Sequence, residues 1–440
     1  MLDKITSALN NRRDLTAWSL RHITMRGAQI YAVGKETEAK RQVEEEKFKI
    51  EVFCKTKLPD GSPALGNGEV TLLHGGDVNA AVDQAALVAG LVANPIYGVP
   101  EPHALPDVAL IDEELLNNGA AAIDNVLSHL HEAAAELSGV ELTSAECFAE
   151  TEAIHLVNSR GIDCNQESTG VEIEFVLQSR SDSKHSETQR EMRRRRISDL
   201  NLGEEIDLRA QYTRDLLDAQ APPAWQGPIV IRRDALATFM AGDGLSTTVL
   251  QTLGSASSKY AHISPWEIGK PVFRGEVSGD PLTVWANRRV PYGSTSNRFD
   301  AEGLPARRTA MIESNKLVNF VSSKRYADYL KLQATGEFGC VEMPAGKHRE
   351  AELLTKPYVE ISMFSWFNPE PVSGDFSSEI RLGYLVENGE AKPFKGGQMV
   401  GNVLDALANV HWGDEIAFYG NYYGPRTARF NELKVVGGGS

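Results

Sequence analysis

The sequence predicts an α+β protein in two parts, helices with an antiparallel sheet over residues 1–220 and a largely β domain with a few helices over 221–437. Three observations carry that prediction. In the first half, alanine- and leucine-rich stretches at helical spacing lie among stretches that alternate apolar and polar residues. The proline-rich "QAPPAWQGP" (220–228) then interrupts the pattern and marks the domain boundary. Beyond it, short β-like runs separated by turn residues take over.

The elements follow in order. "AAVDQAALVAGLVA" (80–93) and "EELLNNGAAAIDNVLSHLHEAAAEL" (113–137) carry apolar residues at the spacing of an amphipathic helix. "KFKIEVFCKT", "VELTSAECFAET", "EAIHLVNSRG" and "TGVEIEFVLQS" alternate as half-buried antiparallel strands do, so helices flanking one sheet form the first layer pair. "EEIDLRAQYTRDLLDA" (204–219) is a further helix. In the second half, "GYLVENGEAKPF" (383–394) turns on Asn388-Gly389, a strong hairpin signal, and "TAMIESNKLVNFV" (309–321) turns on Ser314-Asn315. Only "RRDALATFMAG" (232–242), "SSKRYADYL" (322–330) and "NVLDALANV" (402–410) read as helical there. A β-rich half must curl or stack to hide its strand edges.

Composition bounds the function. At 440 residues, 42% hydrophobic and 24% charged, the chain has the profile of a globular protein of two to three domains. No apolar run reaches the ~18 residues of a membrane span, and "MLDKITSALNNRRDLTAW" has no basic segment followed by an apolar one, so the cytoplasm is the expected compartment. A formal net charge of -15 argues against a general nucleic-acid binder. Cys54, Cys147, Cys164 and Cys340 form no CxxC pair and are expected to be reduced and inert. The final "GGGS" resembles a linker and is set aside.

The common catalytic motifs are missing. "GKET" (34–37) is a fragment of a phosphate loop, "GNGEVT" (66–71) lacks the third glycine of a dinucleotide loop and reads as a turn, and no GxSxG occurs. His131-Glu132 has no second histidine a turn later, and His129 points to another side of the helix. "REMRRRR" (190–196) contains no aromatic residue for stacking on bases, and reads first as a solvated strand or rim, second as a surface for an acidic partner or a peptide carboxylate. Asp280, Asp300, Glu302 and Asp375 each sit in turn-like sequence, where turn formation is the simpler role.

One stretch stands apart. "GPIVIRRDALATFMAGDG" (227–244) runs a buried strand straight into a helix, with Asp234 placed to favour the positive end of the helix dipole, by about 0.3–1 kcal/mol. Ordered segments elsewhere, "RFDAEGLPARRTAMIESNKLVNFVSSKRYADYL" (298–330), "GDFSSEIRLGYLVENGEAKPFKGGQMVGNVLDAL" (374–407) and "NSRG" (158–161), resemble the TldD/TldE (PmbA) family, described as a heterodimeric zinc metallopeptidase and once as modulators of DNA gyrase. The resemblance is strong from 298 to 407 and weak before about 150. It implies a two-domain chain whose dimer encloses a proteolytic chamber. In the metal-bearing TldD-type subunit an HExxxH-like helix follows a strand like 229–231, and a cysteine near the C-terminus completes the zinc site. Aligned on Gly242-Asp243, Arg233 and Asp234 fall near the His-Glu step and Thr238 near the second histidine. Guanidinium and hydroxyl cannot replace imidazole as zinc ligands, and "HWGDEIAFYGNYYGPRTARF" (411–430) has no cysteine.

The resemblance therefore implies a TldE/PmbA-type subunit with no metal and no catalytic residue of its own. The zinc is expected in a metal-bearing TldD-type partner, in a heterodimer acting on peptides or unfolded proteins. Asp234, Phe376, Ser377 and Ser378 are the expected substrate-binding residues, with a tight turn as the structural alternative for "GDFSS". The other reading is a non-catalytic, peptide-binding or regulatory homodimer. An independent hydrolase built on the scattered carboxylates is the third.

Overall fold

The computed structural model describes residues 1–181, 183–242 and 247–437. The first part of the chain runs α1 (Leu2–Asn10), β1 (Leu15–Val33), β2 (Glu36–Lys57), β3 (Pro63–Leu73), α2 (Val78–Leu91), α3 (Glu113–Ala135), β4 (Glu141–Asn158), β5 (Asp163–Ser181), β6 (Lys184–Arg194) and α4 (Leu202–Asp218). Its six strands form one antiparallel sheet in the order β3-β2-β1-β4-β5-β6. Strict alternation sets the faces: Leu20, Ile50, Cys147, Ile173 and Phe175 are fully buried toward the helices. Burying each large aliphatic or aromatic side chain contributes roughly 1.5–3 kcal/mol. Asp77 and Asp112 accept backbone N–H groups at the starts of α2 and α3, where those donors lack helical partners. Inside α3 the helix breaks at Asn118 (φ -155°, ψ 71°), next to Gly119, whose missing side chain admits Ala149 of β4.

The first sheet departs from the sequence expectation in β1, β2 and β3. β1 lies outside the expected strands, and β2 extends far beyond the apolar segment 47–56, through "ETEAKRQVEEEK", where the side chains are exposed or half-exposed. β1 pairs with that stretch on one side, while pairing with β3 begins only at Lys47, so one neighbour holds it without a buried face. "GNGEVT" is not a turn but the middle of β3. A Cβ on Gly66 would lie 1.9 Å from the carbonyl oxygen of Ala89, and one on Gly68 2.4 Å from that of Ala85, so these glycines let α2 lie directly on the sheet.

The second part runs β7 (Trp225–Arg232), α5 (Arg233–Ala241), α6 (Val249–Leu253), α7 (Ala256–Tyr260), β8 (Val284–Asn287), β9 (Arg308–Glu313), β10 (Lys316–Leu317), α8 (Lys324–Leu330), β11 (Cys340–Glu342), α9 (Glu350–Leu353) and β12 (Tyr358–Phe364). It continues with β13 (Asp375–Glu387), β14 (Glu390–Phe394), β15 (Gln398–Asn402), α10 (Val403–Ala408), β16 (Val410–Trp412), β17 (Ile416–Phe418), β18 (Tyr422–Pro425) and β19 (Thr427–Val436). One sheet has the order β10-β9-β8-β11-β18-β17. The other has the order β12-β7-β19-β15-β13-β14, and because β12 also pairs with β13, five of its strands close into a ring. The five ring strands are thereby partnered on both sides, while β14, β10 and β17 remain edge strands. Between the sheets Phe239 of α5 packs against Phe367, Phe376 and Phe430, with ring centroids 5.0–6.1 Å apart.

Both expected hairpins form. Ser314 and Asn315 (φ 46° and 68°) and Asn388 and Gly389 (φ 49° and 87°) occupy the left-handed region that two-residue hairpin turns demand. The helices α1, α6, α7 and α9 lie outside the expected set; α6, α7 and α9, of four or five residues, are too short to show a repeat in the sequence. All four cysteines are free, three of them buried and Cys164 half-buried. Burial pushes the Cys147 thiol up to about 12 and the Cys164 thiol up to about 11, so neither is a ready nucleophile. No helix among the described residues is long and apolar enough to cross a membrane.

The close approach of α2 is testable by chemical denaturation. Gly66→Ala is expected to lower the unfolding free energy by roughly 1–3 kcal/mol, the usual cost of overpacking. Gly90→Ala, in α2 itself, meets nothing within 4 Å and is expected to be neutral or stabilising by up to about 1 kcal/mol. Equal effects from the two would refute the assignment.

Candidate functional site

The β7–α5 junction is where the sequence pointed, and its chemistry is governed by charge. β7 is buried at Ile229, Val230 and Ile231, and α5 begins directly after Arg232. Arg233 takes a left-handed backbone (φ 56°), held by its N–H donating to the carbonyl of Arg426 at 2.8 Å. That conformation is uncommon outside glycine and starts the helix without a separate cap. Arg232 points the other way, its guanidinium on Glu350 (2.8 Å) and Glu360 (3.4 Å).

Asp234 is the centre of an ion network. Its Oδ2 accepts from Arg209 of α4 at 2.6 Å and from Arg190 of β6 at 3.1 Å. Arg190 also grips Glu205 of α4 through Nε at 2.9 Å. Burial alone raises the Asp234 carboxyl, but Arg209 and Arg190 outweigh it and hold it down to about 2. Arg209 itself is only 1% exposed, so its charge depends wholly on these acids. A carboxylate so low and so fully engaged is an ion-pair anchor, not a proton acceptor at neutral pH.

The same helix forms a wall of a large cleft of about 700 Å³. Asp234, Ala237, Thr238 and Gly242 line one side, β4, β5 and β6 of the first sheet line another, and Ser294, Thr295, Tyr419 and Asn421 complete it. The sheet wall carries Glu150, Glu152 and Glu172 beside Arg193, which reaches Glu150 at 3.3 Å and Glu172 at 3.7 Å. These carboxylates were legible as the polar half of the strand alternation "ECFAETEA" and "VEIEF". Tyr419 and Asn421 had no local signal; folding alone brings them there.

The arginine run corrects its first reading as a solvated face. Arg193 is exposed, but Arg194 is 7% exposed and bonds only the Arg193 carbonyl, at 2.8 Å. Burial and the nearby Arg190 charge draw its guanidinium down to about 10. Arg195 donates to the carbonyls of Gly293 (2.8 Å) and Ser296 (2.8 Å), tying a loop of the second part to the first sheet. Arg196 stacks on Tyr292, 4.2 Å from its centroid. Alternation along β6 and the end of the strand thus give each arginine a separate task.

Phe376, Ser377 and Ser378 stand apart from Asp234. "GDFSS" is not a tight turn: Gly374 (φ 85°) makes the bend, and Asp375 opens β13. Phe376 is in the barrel core, Ser377 is exposed with its hydroxyl on Gln398 at 2.6 Å, and the fully buried Ser378 hydroxyl has no partner. None of the three lines the cleft. Among the remaining carboxylates, Asp300 does build a turn, accepting from Glu302 and Leu304 N–H at 3.0 and 2.9 Å. It also faces buried Arg288 at 3.5 Å, where burial pushes the acid up and the guanidinium down. Burial raises Glu302 to about 7, against one hydrogen bond from the Lys324 backbone. Asp375 is held by Asn402 at 2.9 Å, whereas Asp280 is buried beside His348 and His411 and is no turn residue. His131 is half-buried, its Nε2 bonded to the Gly34 carbonyl at 3.0 Å, while His129 is exposed.

The zinc that an HExxxH helix would hold does not fit α5. Arg233 offers no lone pair, Asp234 is committed to two guanidinium groups, and Thr238 is a neutral hydroxyl. Asp243, the second residue of the alignment anchor, lies outside the described residues.

Residues 228–437 match the family model of the PmbA/TldA metallopeptidase C-terminal domain. An uncharacterised protein of Methanocaldococcus jannaschii is 25% identical over 263 residues, 57% of this chain and 59% of that one, so the match spans under two thirds of the relative's length. Among solved structures, a protein from Thermotoga maritima described as a modulator of a DNA gyrase superposes with a TM-score of 0.82, at 18% identity, over 99% of this chain and all of that one. TldE from Thermococcus kodakarensis gives 0.80 at 18% identity, covering 99% and 100% of the two chains. A modulator of DNA gyrase from Bacteroides thetaiotaomicron gives 0.79 at 13% identity, covering 99% and 98%. At these identities the superpositions establish a shared fold.

Two measurements check the electrostatics. Asp234→Asn leaves Arg209 buried without its main counter-charge and is expected to lower the unfolding free energy by about 3–5 kcal/mol; a loss below about 1 kcal/mol would show the network to be solvated. Glu302 has its folded value raised above the ordinary one, so its stabilising protonated form is fully present below about pH 4.5 and lost as pH rises through about 7. Wild type is therefore expected to lose on the order of 3 kcal/mol relative to Glu302→Gln between pH 5 and 8, and a pH-independent difference would contradict the burial of that acid.

Proposed function

We propose that this chain, whose residues 228–437 form a domain of the PmbA/TldD family, is the non-metal-bearing subunit of a TldD/TldE-type zinc metallopeptidase complex acting on peptides or unfolded proteins. The observation that carries the reading is the state of Asp234. At the place the resemblance assigns to the catalytic His-Glu step, the carboxylate is neutralised by Arg209 and Arg190 and serves to join α5 to α4 and β6. The helix keeps its position on the cleft wall while its side chains perform a structural task. Zinc and the water it activates belong, in this reading, to the partner chain.

The cleft suits an extended polar chain. In support of this, β6 is an edge strand of the first sheet and its residues line the cleft, where a peptide can add beside the backbone between the Glu187 and Arg193 carbonyls, which Arg381 and Arg194 occupy. The carboxylates and arginines beside it supply charged side-chain contacts. The contribution of this chain is thus dimer surface and one wall of a peptide-binding chamber. The cytoplasm remains the compartment proposed for it.

Co-expression with a metal-bearing TldD-type homologue from the same cell tests the proposal. Sizing is expected to show a mixed complex that cleaves denatured protein or peptides and loses that activity to a chelator, while this chain alone cleaves nothing. Failure to form the mixed complex would favour the regulatory homodimer. Cleavage by this chain alone with chelator present would favour the independent hydrolase.

A further inference from the structure

Away from the cleft, three segments of the second part bring two histidines and an aspartate together. Asp280 precedes β8, His348 precedes α9, and His411 is in β16. One ligand atom from each lies within 4.8 Å of the others. His348 Nε2 is 3.1 Å, and His411 Nδ1 3.6 Å, from the same oxygen, Oδ2 of Asp280. None of the three lines the large cleft.

The spacing is that of ligands around one ion. Metal–ligand bonds of about 2.0–2.1 Å in a tetrahedron put neighbouring donor atoms about 3.4 Å apart. His411 Nδ1 is buried and has no hydrogen-bond partner, an orphan that a histidine satisfied by its surroundings would not leave. The outer nitrogens of both rings are provided for. His348 Nδ1 faces Glu352 at 3.8 Å, and the side-chain NH2 of Asn431 lies 3.1 Å from His411 Nε2. A carboxylate beside the outer N–H leaves His348 Nε2 with its lone pair toward the ion, the usual arrangement of metal-bound histidine, and a half-turn of the Asn431 amide brings its oxygen to the outer N–H of His411. The Trp412 backbone N–H donates to that same Oδ2 of Asp280 at 3.0 Å and fixes the carboxylate in place. Lys347 Nζ, 2.9 Å from the other carboxylate oxygen, has a side chain 72% exposed, so it can withdraw into solvent when a cation arrives.

We propose that Asp280, His348 and His411 form a site for one divalent transition-metal ion. Two imidazoles and one carboxylate favour zinc, cobalt or nickel over calcium or magnesium. Three protein ligands leave a coordination position for water, and both histidines are partly open to solvent, so the ion has a route in. Bound there, it ties the three segments together. The site is independent of helix α5.

Equilibrium dialysis and thermal unfolding of the chelator-treated full chain test this, with zinc and, for its absorption spectrum, cobalt as probes. Wild type is expected to take up one equivalent, to show the intense visible bands of a four-coordinate cobalt site, and to unfold at a temperature that rises with metal concentration. His348→Ala and His411→Ala, whose side chains are partly exposed, are each expected to weaken binding at least about tenfold without changing the unfolding temperature in chelator. Lys347→Ala removes the competing cation and is expected to bind as tightly or more so. No uptake at millimolar free metal, or uptake indifferent to both histidine substitutions, would overturn the proposal.

Discussion

Everything on the cleft side of the molecule depends on one buried charge arrangement, Asp234 between Arg209 and Arg190, with Glu205 closing the circuit. The members come from three elements, α5, β6 and α4, and each is costly to bury alone. The arrangement therefore tolerates little displacement: sliding α5 along α4 by one turn, about 5.4 Å, would leave Arg209 charged, dry and unpaired. Hydrophobic contacts between the layers supply area, but the charges supply register. The cleft walls inherit that register, because α5 and β6 both contribute to the network and both line the cleft.

The β7–α5 junction also shows how one backbone placement can be given to charge pairing. A strand ending in a helix puts the first helical turn at a sheet end, where side chains reach a cavity. Here Arg233 and Asp234 turn that geometry into an anchor. The left-handed Arg233 lets the helix start immediately after the strand, and Asp234 faces the first part of the chain rather than a bound ligand. A low, doubly paired carboxylate and a poised general base are opposite outcomes of the same placement, decided by two arginines from elsewhere.

Local chemistry made much of this readable. The glycine- and asparagine-centred turns at 314–315 and 388–389, the helices with a long apolar repeat and the alternating strands are written in adjacent residues. What the sequence did not disclose required partners far along the chain. The polar arms of β1 and β2 are strands because neighbours pair with them, and Gly66 and Gly68 matter because Ala85 and Ala89 arrive from α2. The arginine run read as a surface because its partners, Glu205, Asp234 and the 293–296 carbonyls, are 15 to 101 positions away. Asp280 read as a turn residue for the same reason, since His348 and His411 lie on other segments.

The closed ring of strands has a bearing on how the molecule comes into being. β7, near residue 230, has β12 on one side and β19 on the other, so its neighbours arrive more than a hundred and about two hundred residues after it. Pairings so distant fold slowly, because the chain must surrender the freedom of long loops before any contact rewards it. During synthesis the first sheet, complete by Arg194, can assemble while the ring cannot. The nascent protein thus passes through a stage in which β7 is made but unpaired on both sides, an apolar strand exposed to association. A chain with this topology is one for which a chaperone or an early-arriving partner has the greatest effect before the final strand is in place.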